Sequence, residues 1–156
     1  ARVRRQLPDV AWRTTFIVGF PTETDQDFEE LVDFVSEGHF QHLGIFLYSD
    51  EDNIRSSKFG DPIPLSLKEE RKNRLMEIQQ KISREHHQKM VGSLQQVLVG
   101  GFSSETDLLL EGRNQYQGPE VDGVVYINEG NATSAGFHQV EITEAHEYDL
   151  VGKILN

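Results

Sequence analysis

The sequence predicts an α/β segment followed by a small all-β barrel, with a long helix between the two. Three observations lead to this fold class. Residues 13–48 hold a short apolar run, an amphipathic helical pattern and a second apolar run. Residues 66–90 carry one unbroken helical pattern, and the remainder of the chain alternates short apolar runs with glycine-rich turns. We therefore expect three parts, which are residues 1–65, a linker helix at 66–92 and a barrel at 93–156.

The first apolar run and the helix after it form the clearest unit of the chain. Residues 15–18 are Thr-Phe-Ile-Val, a β-branched and aromatic run typical of a buried strand, and Gly19 and Pro21 end it. Thr24 stands where an N-cap belongs, and Gly38 stands where a left-handed C′ residue belongs. Between them the apolar positions recur at helical spacing, at Phe28, Leu31, Val32 and Val35.

A second apolar run, at residues 42–48, completes a strand–helix–strand unit with two parallel strands and a right-handed crossover. The loop at Gly19, Phe20 and Pro21 then lies at the carboxyl end of the first strand, where α/β proteins bind ligands. An ordinary connection that binds nothing is the alternative interpretation. Because parallel sheets need both faces covered, two such strands do not form a stable sheet alone. We expect either another chain that completes the sheet or a larger protein of which this segment is a fragment.

The long helix is predicted to begin at Ser66, whose hydroxyl would form a capping box with Glu69, and to extend to about Met90. At roughly 1.5 Å per residue, such a helix is long enough to connect two modules. Its inward-facing positions are predicted to be Leu67, Arg71, Leu75, Ile78 and Ile82.

Five short strands are predicted after the helix, at residues 94–99, 107–111, 123–127, 137–142 and 148–154. Turn signals separate several of them, at Gly100-Gly101, Gly118-Pro119 and Gly130-Asn131. Short strands at this spacing are typical of a small five-stranded antiparallel barrel of the OB-like kind.

Composition excludes several classes of protein. The chain of 156 residues contains no cysteine, so it can form neither a disulfide nor a thiolate-ligated metal site. No apolar run approaches the roughly 20 residues of a membrane span, so we expect a cytoplasmic protein with no membrane partner. Motifs for phosphate-binding loops, dinucleotide binding, serine hydrolases and zinc proteases are absent, and the acidic run at residues 50–52 lacks EF-hand spacing. We predict no catalytic residue and no metal ligand in this chain.

Acidic charge is concentrated in the predicted barrel. The whole chain has a net charge of −11, and residues 89–156 hold three basic residues against ten acidic ones, a net charge of −7. Such a barrel would repel the phosphates of nucleic acid and attract a basic protein at long range. Solubility is the alternative explanation for the acidity.

Several strings resemble one enzyme family. TTFIVGFPTETDQDF is similar to the T-x-x-I-V-G-F-P-G-E-T-x-x-D-F segment of the radical S-adenosylmethionine methylthiotransferases, and GIFLYSDE resembles the next strand of their catalytic barrel. ERKNRLMEIQQKIS resembles their linker helix, and EGR, QGPEVDGVVYI, GFHQVEITEA and YDLVG resemble their appended TRAM barrel. The resemblance implies that the strand–helix–strand unit is the final part of a radical SAM partial TIM-type barrel, and that the small barrel is a TRAM domain.

The P-E-V-D-G string resembles one branch of that family, the ribosomal-protein aspartate methylthiotransferases of the RimO type. The resemblance implies an enzyme that adds a methylthio group to the β-carbon of an aspartate in small-subunit ribosomal protein twelve, with the acidic barrel binding that basic protein. Two alternatives stay open. One is a fragment of a tRNA-modifying methylthiotransferase, and the other is a non-catalytic acidic adaptor for a basic ribosomal protein.

The resemblance also implies cofactors, because the family binds S-adenosylmethionine on one cysteine-held iron–sulfur cluster and carries a second cluster. This chain has no cysteine, so it resembles a C-terminal fragment that is inactive alone and that binds neither cluster and little or no S-adenosylmethionine. Two places depart from the family pattern, where Thr22 replaces a glycine and Asn53-Ile54 replaces a glycine-threonine pair. The residues that the resemblance implies for the adenosyl end of the cofactor are Ile17, Gly19, Phe20, Pro21 and Tyr48.

Overall fold

The computed structural model describes residues 2–7, 9–51, 55–132 and 135–155. The chain divides into two compact units, Ala11–Ile82 and a second unit made of Ala1–Val10 with Ser83–Asn156. Within the described ranges, no helix combines the length and the apolar character that crossing a membrane requires. The domain boundaries expected at residues 65 and 92 stay predictions.

The regular elements follow one another in a simple order. They are α1 (Arg2–Gln6), β1 (Arg13–Val18), α2 (Asp25–Ser36), β2 (His42–Leu47), a 3₁₀ turn (Ser57–Phe59), α3 (Leu65–Gln88), β3 (Leu94–Phe102), β4 (Leu110–Arg113), β5 (Val125–Glu129), β6 (Gly136–Ala145) and β7 (Leu150–Ile154).

The first part of the Ala11–Ile82 unit is the predicted strand–helix–strand arrangement. β1 and β2 pair in parallel, from Arg13 opposite His42 to Val18 opposite Leu47. Thr24 caps α2 as expected, since its side chain accepts a hydrogen bond from the Asp27 N–H while Asp27 accepts one from the Thr24 N–H.

One face of this two-stranded sheet is covered by helices and the other is not. The covered face supplies Val18, Leu43 and Ile45 to a core that also contains α2 side chains and Leu75 of α3. On the opposite face Ile17 is 57% exposed and its register partner Phe46 is 62% exposed. The helices therefore form one layer against a sheet whose second face is bare.

The long helix differs from its predicted form at its start and along its buried face. The carbonyl of Pro64 accepts a hydrogen bond from the Lys68 N–H, so α3 begins at Leu65 and Ser66 lies inside its first turn. The predicted capping box of Ser66 is therefore wrong. Arg71 and Leu75 are buried as predicted, but most of the buried positions are polar. The buried face consists of Lys68, Arg71, Leu75, Gln79, Ser83 and His87.

The second unit contains a closed barrel with strand order β3-β4-β5-β7-β6. Its core is made of completely or almost completely buried aliphatic side chains, among them Val97, Val125, Val140, Ile142 and Leu150. The barrel is mixed and not antiparallel as predicted, because β5 and β7 pair in parallel. Alternation along a strand shows which side chains point inward, but it does not identify the neighbouring strand or its direction.

Strand boundaries in the barrel also differ from the predicted ones, most clearly at β4. The sequence predicted a strand at residues 107–111, and the strand observed is Leu110–Arg113. The segment before it is held in turns by its own side chains, since Ser103 accepts from the Glu105 N–H and Thr106 accepts from the Leu108 N–H. Such local hydrogen bonds compete with the strand ladder and delay its start.

Candidate functional site

A cleft lies at the carboxyl ends of β1 and β2, where the sequence predicted a ligand loop. Its volume is about 510 Å³, and its lining combines apolar and polar side chains. The lining residues are Ile17, Phe20, Leu47, Tyr48, Ser49, Glu51 and Ser56. Three of the five predicted site residues, Ile17, Phe20 and Tyr48, thus line one cleft, while Gly19 and Pro21 belong to the loop behind it.

Three aromatic rings stand together beside this cleft. The rings of Phe20 and Tyr48 meet edge to face, with centroids 5.3 Å apart. Phe59, which the sequence analysis did not single out, lies 6.4 Å from Phe20. Phe20 is 38% exposed whereas Tyr48 is buried, so the Phe20 ring packs against a buried neighbour and is itself partly accessible to a ligand. Such a surface suits a flat, partly apolar ligand.

The loop from Gly19 to Glu23 is closed by its own hydrogen bonds. Gly19 has a φ of 78°, a left-handed conformation that favours glycine. Its N–H donates to both carboxylate oxygens of Glu23, at 3.1 and 3.0 Å, and the Glu23 N–H donates to the Phe20 carbonyl at 2.8 Å. Thr22 has no positive φ, so its side chain causes no left-handed strain. Asn53 and Ile54 lie outside the described residues.

Two buried cations of α3 support the loop. Arg71 donates to Glu23 at 2.5 Å and to Asp25 at 2.6 Å. Lys68 donates from Nζ to the Tyr48 carbonyl at 2.8 Å and to Asp61 at 2.5 Å. Both cationic side chains are at most 4% exposed, and because each has a carboxylate partner its burial is compensated.

Sequence reasoning missed most of this support. The sequence predicts that Arg71 faces inward, but it does not reveal the contacts of Lys68 with Gly19 and Asp61 or the pairing of Arg71 with Glu23. The signal was present, because Lys68 precedes Arg71 by three residues and Arg71 precedes Leu75 by four, the spacing of one helical face. A lysine is seldom buried, and hydrophobic periodicity alone therefore passes over it.

A second candidate surface lies on the outside of the barrel. Tyr126 of β5 is directly opposite Glu111 of β4 and Val151 of β7, and Val151 is opposite Glu144 of β6. Burial raises the pKa of the Tyr126 phenol, and the nearby carboxylates of Glu105, Asp149 and Glu111 raise it further. An acidic row with one aromatic ring thus crosses four strands. Among the described residues, no group of three or more histidine or acidic side chains is placed to bind a metal ion.

Comparison with known proteins agrees with both parts of the structure. A TRAM domain model matches residues 91–155, which contain strands β3 to β7. The chain is 46% identical over 155 residues, 99% of its length, to the ribosomal protein uS12 methylthiotransferase RimO of Desulfotalea psychrophila. It is 49% identical over 153 residues to the protein of that name in Bdellovibrio bacteriovorus, and 43% identical over 152 residues to that of Aquifex aeolicus. The predicted resemblance to the RimO-type methylthiotransferases is confirmed.

The matching region is only part of those relatives. It covers 35% of the Desulfotalea psychrophila protein, 34% of the Bdellovibrio bacteriovorus protein and 35% of the Aquifex aeolicus protein. The chain therefore spans about a third of the length of the curated relatives that it matches.

Proposed function

We propose that this chain is the C-terminal third of a radical S-adenosylmethionine enzyme that adds a methylthio group to the β-carbon of an aspartate in ribosomal protein uS12. The observation that carries the proposal is identity of more than 40% along nearly the whole chain to proteins named for that activity. The TRAM domain at residues 91–155 supports it. A cytoplasmic location follows from a ribosomal substrate.

In this proposal the cleft beside β1 and β2 holds the adenosyl end of S-adenosylmethionine. Its residues fit that group, because the open Phe20 ring and the exposed Ile17 side chain offer apolar contact for a purine. Ser49 and Glu51 offer a hydroxyl and a carboxylate to ribose hydroxyls on the same cleft. Gly19 and Pro21 shape the loop and do not line the cleft. When bound, the cofactor supplies the radical that removes a hydrogen atom from the aspartate.

The chain would provide only one side of the complete catalytic site. The two iron–sulfur clusters of the proposed enzyme need cysteine thiolates, which this sequence does not contain. The bare sheet face with Ile17 and Phe46 suits contact with further barrel strands and with substrate, because a parallel sheet is stable when both faces are covered. We therefore propose that the isolated chain is inactive.

The TRAM barrel is proposed to bind the basic protein substrate. Residues 89–156, which contain this barrel, carry a net charge of −7, and that charge favours a cationic partner. Glu111 is directly opposite the aromatic ring of Tyr126, and Asp149 and Glu105 also act on that ring, an arrangement suited to lysine and arginine side chains. The same charge would weaken the binding of tRNA, the substrate of the alternative branch.

One experiment separates the proposed substrates. The affinity of the 156-residue chain for purified uS12 and for tRNA would be measured at several salt concentrations. We expect uS12 to bind and its affinity to fall as salt is raised, because the attraction is between exposed charges. Binding of tRNA in preference to uS12 would replace the proposed function with the tRNA-modifying one. Binding of uS12 that does not depend on salt would contradict the proposed electrostatic attraction between the acidic barrel and uS12.

Activity is tested separately. The full-length protein, with its clusters reconstituted, is expected to convert uS12 to a product heavier by one methylthio group in place of hydrogen, which mass spectrometry detects. The 156-residue chain under the same conditions is expected to leave uS12 unchanged. Modification of uS12 by the short chain would contradict the proposed division of the catalytic site. Binding of uS12 without modification by the full-length protein would favour the adaptor.

A further inference from the structure

Lys68 connects three separate segments around the cofactor cleft. It lies in the first turn of α3 and is 2% exposed. Its Nζ donates to the carbonyl oxygen of Tyr48, directly after β2, and to the carboxylate of Asp61, which follows the 3₁₀ turn. Burial of an ammonium group is costly without such partners, so the position of Lys68 is tied to the positions of both segments.

The aliphatic part of the same side chain fixes the third segment, the loop after β1. A Cβ atom added to Gly19 would lie 2.4 Å from Cγ and 2.7 Å from Cδ of Lys68. Contacts this short do not occur between carbon atoms, so the backbone of Gly19 lies directly against the lysine stem. The left-handed φ of 78° at Gly19 removes the remaining freedom to place a larger residue there.

The contact with Tyr48 has a consequence for the lining of the cleft. The structure contains no cis peptide bond among its described residues, and in a trans peptide the carbonyl and the following N–H point in opposite directions. Because Lys68 holds the Tyr48 carbonyl, the N–H of Ser49 points away from Lys68. Tyr48 and Ser49 both line the cleft. The orientation of the peptide between them therefore decides whether a ligand can contact the Ser49 N–H or the Tyr48 carbonyl.

We propose that Lys68 is a positioning residue for the cofactor cleft, which sets the Tyr48–Ser49 peptide and the Gly19 loop in their relative places. This inference rests on the proposed function for the identity of the ligand, S-adenosylmethionine. Lys68 does not line the cleft, so it acts through Tyr48 and the Gly19 loop, two of the three segments that it contacts. Arg71 has a different task, since its partners lie on one continuous segment, with Glu23 in the loop after β1 and Asp25 at the start of α2.

The first test concerns the structure of the cleft and needs no ligand. The ¹H–¹⁵N spectrum of the 156-residue chain would be compared for the wild type, Lys68→Met and the control Lys81→Met, which removes an exposed ammonium from the same helix. We expect Lys68→Met to shift the amide signals of Gly19 and Ser49, and Lys81→Met to leave them in place. Unshifted Gly19 and Ser49 signals in folded Lys68→Met would overturn the proposal.

A milder variant covers the case in which Lys68→Met does not fold. Asp61→Asn removes the charge partner of Lys68 at a side chain that is 36% exposed, so the chain is expected to fold. It should shift the Ser49 amide by less than Lys68→Met would, because the bond from Lys68 to the Tyr48 carbonyl remains. If Lys68→Met is unfolded and the Ser49 amide signal of Asp61→Asn does not shift, the proposal is overturned. Lys68 would then contribute to stability without positioning the cleft.

The second test concerns the ligand and uses the reconstituted full-length protein. Lys68→Met is expected to raise the KM for S-adenosylmethionine by about tenfold, the effect of one misplaced charge-assisted contact, and Lys68→Arg should restore part of it. A role in stability alone would lower the amount of active enzyme and the apparent kcat with KM unchanged, and that result would overturn the proposal. If the wild type itself neither binds S-adenosylmethionine nor modifies uS12, the proposed function fails, and the amide shifts still decide whether Lys68 orients the cleft.

Discussion

The barrel and the strand–helix–strand region reach stability by different physical routes. In the barrel every described strand has a neighbour on both sides, and the interior side chains are aliphatic. Val97, Val125 and Val140 have no exposed surface at all. Closure of the barrel pairs the strand edges that would otherwise be free, and it also removes apolar side chains from water.

The strand–helix–strand region buries a smaller apolar core and adds ionic contacts to it. Its two strands have one covered face, and Phe46 on the other face is 62% exposed. Beneath the loop, the cationic side chains of Arg71 and Lys68 are buried, and each pairs with a carboxylate, Glu23 for Arg71 and Asp61 for Lys68. Such pairs are weak contributors to stability but become strongly destabilising when one partner is lost. The difference shows that two regions of one chain are stabilised differently, since the barrel has an aliphatic interior while the strand–helix–strand region also buries two cationic side chains.

Loss of Arg71 should have the largest effect of the changes considered. Arg71→Met leaves the Glu23 carboxylate, whose side chain is 10% exposed, without its cation, and we expect a loss of about 3 to 5 kcal/mol in the unfolding free energy of this region. Denaturant unfolding would measure this loss of free energy for the chain, and native-state hydrogen exchange would assign it to this region.

Arg74→Met is the matched control for that change. Both guanidinium groups lie over the ring of Phe28, at 5.2 Å for Arg71 and 5.5 Å for Arg74. The Arg74 side chain is 46% exposed and pairs with an exposed Glu29, so its loss should cost far less. Equal losses in the two variants would mean that burial of the Arg71 pair has no special role.

Core truncations test whether the two regions are stable independently. Ile142→Ala in the barrel and Leu75→Ala in the other region each remove a fully buried aliphatic side chain, and each should lower stability by about 3 kcal/mol. We expect each variant to accelerate hydrogen exchange only in its own region. Leu108→Ala is the control, since Leu108 is 88% exposed. Faster exchange in both regions from either truncation would show one cooperative structure.

The cap of α2 should give a smaller effect that depends on pH. Thr24→Ala is expected to cost about 1 kcal/mol at neutral pH. Hydrogen bonds from the Thr24 side chain and backbone lower the pKa of Asp27, so they favour the ionised carboxylate in the folded state. A lowered pKa contributes stability above the unfolded-state value, and that stability is lost as the pH falls through the folded-state value. The gap between wild type and variant should therefore narrow in acid, and a gap that widens would contradict the assignment.

The smallest expected effect is a change in the pKa of Tyr126 on the barrel surface. Burial and three carboxylates raise the pKa of Tyr126. Glu105→Gln should lower that pKa towards its ordinary value without reaching it, because burial and two carboxylates remain. Spectrophotometric titration of the phenol would measure the change, with Glu129→Gln on the same strand as a control. An unchanged Tyr126 pKa in Glu105→Gln would show that the acidic charge is not focused on this ring.

Local patterns in the sequence were sufficient for the first part of the fold. The cap at Thr24, the glycine at position 38 and the parallel pairing of β1 with β2 all depend on short-range rules, and all three agree with the structure. The loop at Gly19 was likewise found from its position after a strand. Its neighbours in the cleft, Tyr48 included, came from resemblance and not from pattern.

The remaining features could not be predicted because they depend on contacts between distant residues. Lys68 and Tyr48 are 20 positions apart and Arg71 and Glu23 are 48 apart, and no periodicity links them. The parallel pairing of β5 with β7 has the same cause, since strand alternation is equal for either direction. Long-range polar contacts require knowledge of which elements lie side by side.

The position of β7 in the barrel has a consequence for the order of events during synthesis. This strand lies between β5 and β6, parallel to the first and antiparallel to the second. The four earlier strands can pair among themselves on the emerging chain, but they leave a gap that only the last one fills. Closure must therefore wait until Leu150–Ile154 has left the ribosome. Until then the barrel exposes two unpaired edges to the cell.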